Sequence, residues 1–263
     1  MAARAQTLFS GRWIGILPIV LLLAGWELAA RVGAVDPAII PPVSVIGAEL
    51  WRLVADGELA RHFGDTFGRL FLAYALAAIL GLGLGLFMGY FESVFLVFEP
   101  LVESLRPIPN SALIPVTMLF FGPTDTMVFF SIAWACFFPI LINTIDGVRG
   151  IDPVLVNTAR TFRIGGVDLF RKFIIPAALP VIWTGLRVAL ALALIVGVSA
   201  EMIVGQNGVG YFMVYAAQRF SAAMMFSTVF AVAVVGYLLN KLFLVVDDSV
   251  LAWHRRMMAK DIQ

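Results

Sequence analysis

DGVRGIDPVLVNTARTFRIGGVDLFRKFIIP, Asp146 to Pro176, is a polar interruption between long apolar runs. It holds five of the chain's eighteen basic residues: Arg149, Arg160, Arg163, Arg171 and Lys172. Asp152-Pro153 is a strong helix start, because the carboxylate accepts from orphan N–H groups while Pro, lacking an N–H, suits the first turn. Val154, Leu155, Ala159 and Phe162 follow at helical spacing, with Arg160 and Arg163 off that stripe. Gly165-Gly166 breaks the helix, and Val167 to Ile174 reads as a second one ended by Pro176. Two short helices meeting at a sharp corner on a membrane surface make a docking knob.

The surroundings are those of a membrane protein. Of 263 residues, 61% are apolar and 13% charged, with mean hydropathy +0.97; ordinary soluble domains carry roughly a quarter charged residues. Net charge is +1, which gives no field for nucleic acid. One cysteine, Cys136, leaves no internal disulfide, and Cys136 with His62 and His254 is too sparse a set for a zinc site.

Outward from the knob, the apolar runs divide into about six spans: 13–30, 66–90, 94–121, 126–145, 179–203 and 224–246. The first reads as an uncleaved span rather than a signal peptide, since Glu27-Leu-Ala-Ala30 is followed by Arg31. Between the first two, Ser44 is placed to cap an interfacial helix. The second span carries Ala73, Ala77, Gly81, Gly85 and Gly89, four residues apart on one face, and the fifth repeats the device with Gly185, Ala189, Ala193 and Gly197. Such ladders let another backbone approach closely. Glu201, next on that face, has two readings, an interfacial charge or a pore-mouth carboxylate, the first preferred. Arg187 either snorkels or pairs.

The third span contains Glu103, Arg106, Pro107, Pro109 and Asn110 near its middle. These permit an internal Glu103–Arg106 pair, a broken helix lining a path, or both. Gly205 to Gly210 is glycine-rich, but no strand–turn–helix unit surrounds it, so it reads as a loop rather than a nucleotide site. With the knob and both termini inside, the cytoplasmic side holds Arg4, Arg12, Arg149, Arg160, Arg163, Arg171, Lys172, Arg255, Arg256 and Lys260, against Arg31, Arg52, Arg61 and Arg219 outside. That asymmetry favours both termini in the cytoplasm.

The knob resembles the EAA loop of ABC-importer permeases: Glu-Ala-Ala, three residues, Gly, nine residues, then Ile-x-Leu-Pro. Aligned on Ala159 and Pro176 the spacing fits without a gap, although Asn157 and Thr158 replace Glu-Ala, Arg163 replaces the Gly, and Phe173 and Ile175 replace the Ile and Leu. Leu105-Arg-Pro-Ile-Pro109, Phe138-Pro-Ile-Leu-Ile-Asn-Thr144, Pro176-Ala-Ala-Leu-Pro180 and Ala200-Glu-Met-Ile203 are similar to the nitrate/sulfonate/taurine branch, over about Trp26 to Asp248.

The resemblance implies an all-α membrane protein with the type I importer permease fold in one domain, a coupling loop at 147–176, and a bacterial inner-membrane location. It implies a homodimer, two ATPase subunits docking on Asn157, Thr158, Ala159, Arg160, Thr161, Phe162, Arg163, Gly165 and Gly166, and an extracytoplasmic binding protein. With Arg163 in the Gly position, Gly165-Gly166 is expected to supply the corner. The chain has no phosphate-binding Gly-x-x-x-x-Gly-Lys-Ser/Thr sequence, so ATP and Mg belong to the partner. Translocation-path candidates are Glu103, Arg106, Asn110 and Glu201. A membrane enzyme needs convergent acid–base or metal groups, and only scattered singles are present. An ion-coupled carrier or channel would not need a structured, basic, two-helix knob. A small anion is the expected solute, with a pyrimidine or aromatic acid as the alternative.

Overall fold

The computed structural model describes residues 17–204 and 206–253, and every regular element among them is a helix. In order these are α1 (Leu17–Arg31), α2 (Val43–Ala55), α3 (Glu58–Tyr90), α4 (Glu92–Leu105), α5 (Asn110–Phe121) and α6 (Asp125–Arg149). They continue as α7 (Pro153–Thr161), α8 (Gly166–Leu169), a π-helical turn (Phe170–Ile174), α9 (Ile175–Val204), α10 (Val209–Gln218) and α11 (Ala222–Val250). Arg4, Arg12, Gly205, His254, Arg255, Arg256 and Lys260 lie outside the described residues. Two compact units result: the described residues up to Arg61 with Phe212–Val232, and His62–Tyr211 with the described residues from Ala233.

In the first unit, Trp26 packs edge-on to Phe226 (5.4 Å between ring centroids) and donates its indole N–H to the Pro41 carbonyl (3.1 Å). Ser227 donates to the Ile46 carbonyl at 2.8 Å. Ser44 does not cap α2, because Pro42 occupies the N-cap position. Instead the Ser44 N–H and hydroxyl both donate to the Glu27 carboxylate (3.0 and 2.8 Å), so one helix-start N–H is satisfied from α1.

The second unit is built on α6, the most buried long helix, clasped by α3 and α9. The reason is the missing side chains. A Cβ at Gly85 would stand 2.6 Å from Thr144 Cβ and 2.9 Å from the Leu141 carbonyl; one at Gly89 would stand 2.6 Å from Val148 Cβ. Gly81 lies against Ile140 in the same way, and Ala73 and Ala77 are buried. On the other side, Gly185 meets Asn143 and the Pro139 carbonyl, Gly197 meets Ile132, and Ala189 and Ala193 are fully buried. Two ladders of small residues thus seat α3 and α9 on one central helix.

Among the described residues, four helices are long and apolar enough to cross a membrane: Glu58–Tyr90, Asp125–Arg149, Gly166–Val204 and Ala222–Val250. The expected span 94–121 is not one helix. It divides into α4 and α5 at Arg106 to Pro109, where Pro107 and Pro109 remove backbone donors, and the Glu103–Arg106 pair forms beside the break at 3.2 Å. Pro176 does not end the second arm of the knob, contrary to expectation. The Phe170–Ile174 turn is wound wider, with Ile175 N–H donating to the Phe170 carbonyl five residues back. That wider turn lets the helix pass Pro176, and it runs on through Pro180 to Val204.

Candidate coupling and translocation sites

The knob is closed at both ends of α7. Asp152 accepts from the Val154 N–H at 2.8 Å, and Pro153 fills the first helical position. At the other end, Ile164 N–H donates to the Ala159 carbonyl (3.0 Å) and Arg163 N–H to the Arg160 carbonyl (2.8 Å). This is a Schellman closure, which requires a left-handed residue just after the cap. That residue is Arg163, with φ +59°. The corner therefore falls where the EAA pattern has its Gly. The expected replacement by Gly165-Gly166 is incorrect: Gly165 is extended (φ −145°, ψ 180°), and Gly166 (φ +57°) opens α8 rather than closing α7. The hydrogen bonds of the closure hold Arg163 in a conformation that costs an L-residue about 1 kcal/mol.

The apolar stripe on α7 is split between two faces. Ala159 is buried with Leu169, Ile174, Ala178 and Val148, joined by Val156, Ile164 and Tyr90, and this cluster ties the knob to α3, α6 and α9. Phe162 is 74% exposed and Val167 80%, and Val154 and Leu155 are exposed too. Asn157, Thr158, Arg160, Thr161, Arg163, Gly165 and Gly166 are also exposed. Thr158 and Thr161 return their hydroxyls to the Val154 and Asn157 carbonyls, so they compete weakly for an outside partner. The outward face is apolar at the corner and basic around it.

Glu201 is not an interfacial charge. It is 1% exposed and accepts from Arg69 (2.9 Å), from the Thr66 hydroxyl (2.9 Å) and from the Gly210 N–H (3.0 Å). Thr66 Oγ1 in turn accepts from the Val209 N–H. Arg69 also binds the Asn207 side chain (2.6 Å) and Asp125 at the start of α6. The glycine-rich loop is shaped by this cluster. A Cβ at Gly208 (φ +96°) would clash with the Glu201 carboxylate, and one at Gly210 with the Val198 carbonyl. Burying a carboxylate is expensive unless it is paired and hydrogen-bonded, and here it is both. Sequence reasoning passed over Arg69; its signal was a charge three residues after Thr66 in an otherwise apolar span.

Glu103 and Arg106 line a cleft of about 170 Å³ between α4 and α6, together with Glu99 and Asp146. Both partners of the pair are about half exposed, so it is a solvent-accessible pair of small energetic weight. Asn110, at the start of α5, and Glu201 do not line this cleft. The four path candidates are thus not gathered into one site. The small-residue positions Ala73, Ala77, Gly81, Gly85, Gly89, Gly185, Ala189, Ala193 and Gly197 lie at helix–helix contacts or in the core.

With this geometry in view, three likenesses are informative. The putative aliphatic sulfonates transport permease protein SsuC of Bacillus subtilis (strain 168) is 32% identical, covering 91% of this chain and 87% of its own. The nitrate import permease protein NrtB of Leptolyngbya laminosa is 31% identical, covering 84% and 81%. Among solved structures, an inward-facing conformation of the MetNI methionine ABC transporter superposes with a TM-score of 0.61 at 17% identity. It covers 71% of this chain and 93% of its own, a likeness of fold. The type I importer permease architecture expected from the sequence is therefore present. The family model for the binding-protein-dependent transport system inner membrane component matches residues 81–252, and this chain belongs to that family.

Proposed function

We propose that the chain is the permease half of an importer that carries a small organic or inorganic oxyanion, of sulfonate, taurine or nitrate type, into the cell. The observation that carries this reading is the outward face of the knob: exposed Phe162, Val154 and Val167 ringed by Arg160 and Arg163. An apolar corner held rigid by two helix caps, yet left uncovered, is a surface built for a protein partner. That partner is a separate ATPase, which binds ATP and Mg. Two permease copies, two ATPases and an extracytoplasmic binding protein complete the assembly in the inner membrane, with six spans and both termini inside. The names of the relatives, sulfonate and nitrate permeases, support the oxyanion class.

The coupling route is short. Residues Gly166–Val204 form 39 residues of continuous helix, about 58 Å long at the α-helical rise. Motion of the knob driven by closure of the ATPase pair is delivered along this lever to α9 and, through the Gly185 to Gly197 ladder, to α6. Rocking of these packed helices alternates the access of the path. The test is uptake into proteoliposomes holding the permease, its neighbouring ATPase and its binding protein. ATP-dependent accumulation of nitrate, taurine or methanesulfonate is the expected result. Uptake of any of these that persists without ATP or the ATPase would sink the coupled reading in favour of a channel or carrier.

A further inference from the structure

Arg187 stands out among the arginines of the apolar helices. It has fourteen uncharged residues before it, back to Lys172, and thirteen after it, up to Glu201. At 1.5 Å per residue that places its Cα roughly 20 Å along the helix from the next charge on either side. Arg69, Arg106 and Arg149 each have a carboxylate partner on the second unit. Arg187 has an amide: its Nε–H donates to the Asn240 side-chain oxygen on α11 at 3.2 Å. No carboxylate among the described residues pairs with it. Asn240 lies on α11 next to Lys241, whose ammonium stands over the Tyr237 ring at 5.5 Å, and both Arg187 and Asn240 are exposed on the protomer.

The two polar side chains open into one small cleft between α9 and α11, about 40 Å³ in volume, otherwise walled by Leu190, Ala191, Leu194, Gly236, Leu239 and Phe243. Gly236 keeps the passage narrow but open: a Cβ there would press on Leu194 at 3.1 Å. An unneutralised guanidinium in the middle of an apolar helix is costly, and such groups face a water-filled path or a charged ligand. The two terminal nitrogens, which make no hydrogen bond to a described residue, remain as a planar fork, and a fork matches two oxygens of one oxyanion.

We infer that Arg187, oriented by Asn240, is an anion-holding residue of the translocation path, taking a sulfonate or nitrate through two parallel N–H···O bonds. This rests on the oxyanion reading above, which identifies the solute class but not the group that holds it. The Arg187–Asn240 cleft supplies the positive charge that the compensated Glu103–Arg106 pair cannot.

The experiment is uptake of nitrate, taurine and methanesulfonate by proteoliposomes holding the whole transporter with wild-type, Arg187→Gln, Arg187→Lys or Asn240→Ala permease. Co-purification of the ATPase reports assembly. Whichever anion the wild type carries, Arg187→Gln should lose it about thirtyfold or more. Arg187→Lys, which keeps the charge without the fork, should lose about tenfold, and Asn240→Ala a few-fold. Separately, Arg187→Cys should react with the anionic thiol reagent 2-sulfonatoethyl methanethiosulfonate, and the transported anion should slow that reaction; the wild type, whose single Cys136 is buried, gives the background.

Wild-type rates in Arg187→Gln overturn the inference and leave the oxyanion reading standing. An unreactive cysteine overturns it as well, because Arg187 then faces lipid or a neighbouring subunit. If Arg187→Gln does not assemble, Arg187→Lys decides, and unchanged uptake by it refutes the role. A wild-type transporter that moves none of the three anions but does move a neutral solute defeats the oxyanion reading itself, a distinct result.

Discussion

Replacing Gly85 by alanine and, separately, Gly83 by alanine puts the same methyl group on the same helix two residues apart. Their surroundings differ. At Gly85 the new Cβ would lie 2.6 Å from Thr144 Cβ and 2.9 Å from the Leu141 carbonyl, whereas at Gly83 nothing lies within 4 Å. Ordinary carbon–carbon contact is near 3.5–4.0 Å, so α3 and α6 must part by roughly 1 Å at Gly85. The obstacle includes backbone, so a rotamer change cannot relieve it. Overpacking of this kind costs about 2–3 kcal/mol, and alanine returns about 1 kcal/mol in helix propensity. We expect Gly85→Ala to destabilise by about 1–2 kcal/mol and Gly83→Ala to stabilise by up to about 1 kcal/mol, by the same balance. Thermal unfolding in detergent, followed by the fraction that remains monodisperse on size exclusion, reads the difference. Equal melting of the two variants would refute the claim that the small-residue ladder seats α3 on α6.

The buried ion pair gives a second test. Arg69→Ala leaves Glu201 buried with only Thr66 and Gly210, and should cost about 3–5 kcal/mol, whereas Arg69→Met with Glu201→Met together should recover most of it. A double variant no better than the single one would show that the charges themselves are required. At the corner, Arg163→Gly should raise stability by about 1 kcal/mol, since glycine enters the left-handed region freely. A fall in stability there would mean that the Arg163 side chain holds the knob. Finally, Gly165→Val should leave ATPase docking and coupling intact, because Gly165 is extended with open space around it. Coupling lost in that variant would return the corner to Gly165-Gly166.

The sequence made the class of the fold readable because membrane helices announce themselves by length and apolarity, and small residues every fourth position announce a packing face. Asp152-Pro153 likewise announced the start of α7. What stayed hidden follows from the same physics. Pro176 reads locally as a helix end, yet a π turn, invisible in residue pattern, absorbs it. Arg163 reads as a poor corner residue, and only the Schellman hydrogen bonds with Ala159 and Arg160 reveal that it serves as one. Glu201 sits at the end of an apolar helix, where an interfacial charge is the simpler inference. Its partner Arg69 is 132 residues away in sequence, and no local rule connects them. The break at Arg106 to Pro109 was legible as a fault in the helix, but the cleft beside it depends on Asp146 from α6.

Docking of an ATPase on the uncovered corner of the knob is what couples this chain to ATP in the proposed assembly. The most direct measurement is co-purification of this chain with the ATPase encoded beside it, for the native sequence and for a variant carrying Arg160→Glu and Phe162→Ser. Both positions are exposed, so the variant should fold and insert as the native chain does. Docking at the corner predicts stoichiometric recovery of the ATPase with the native chain and its loss with the variant. Undiminished recovery with the variant, or no association even with the native chain, would contradict it.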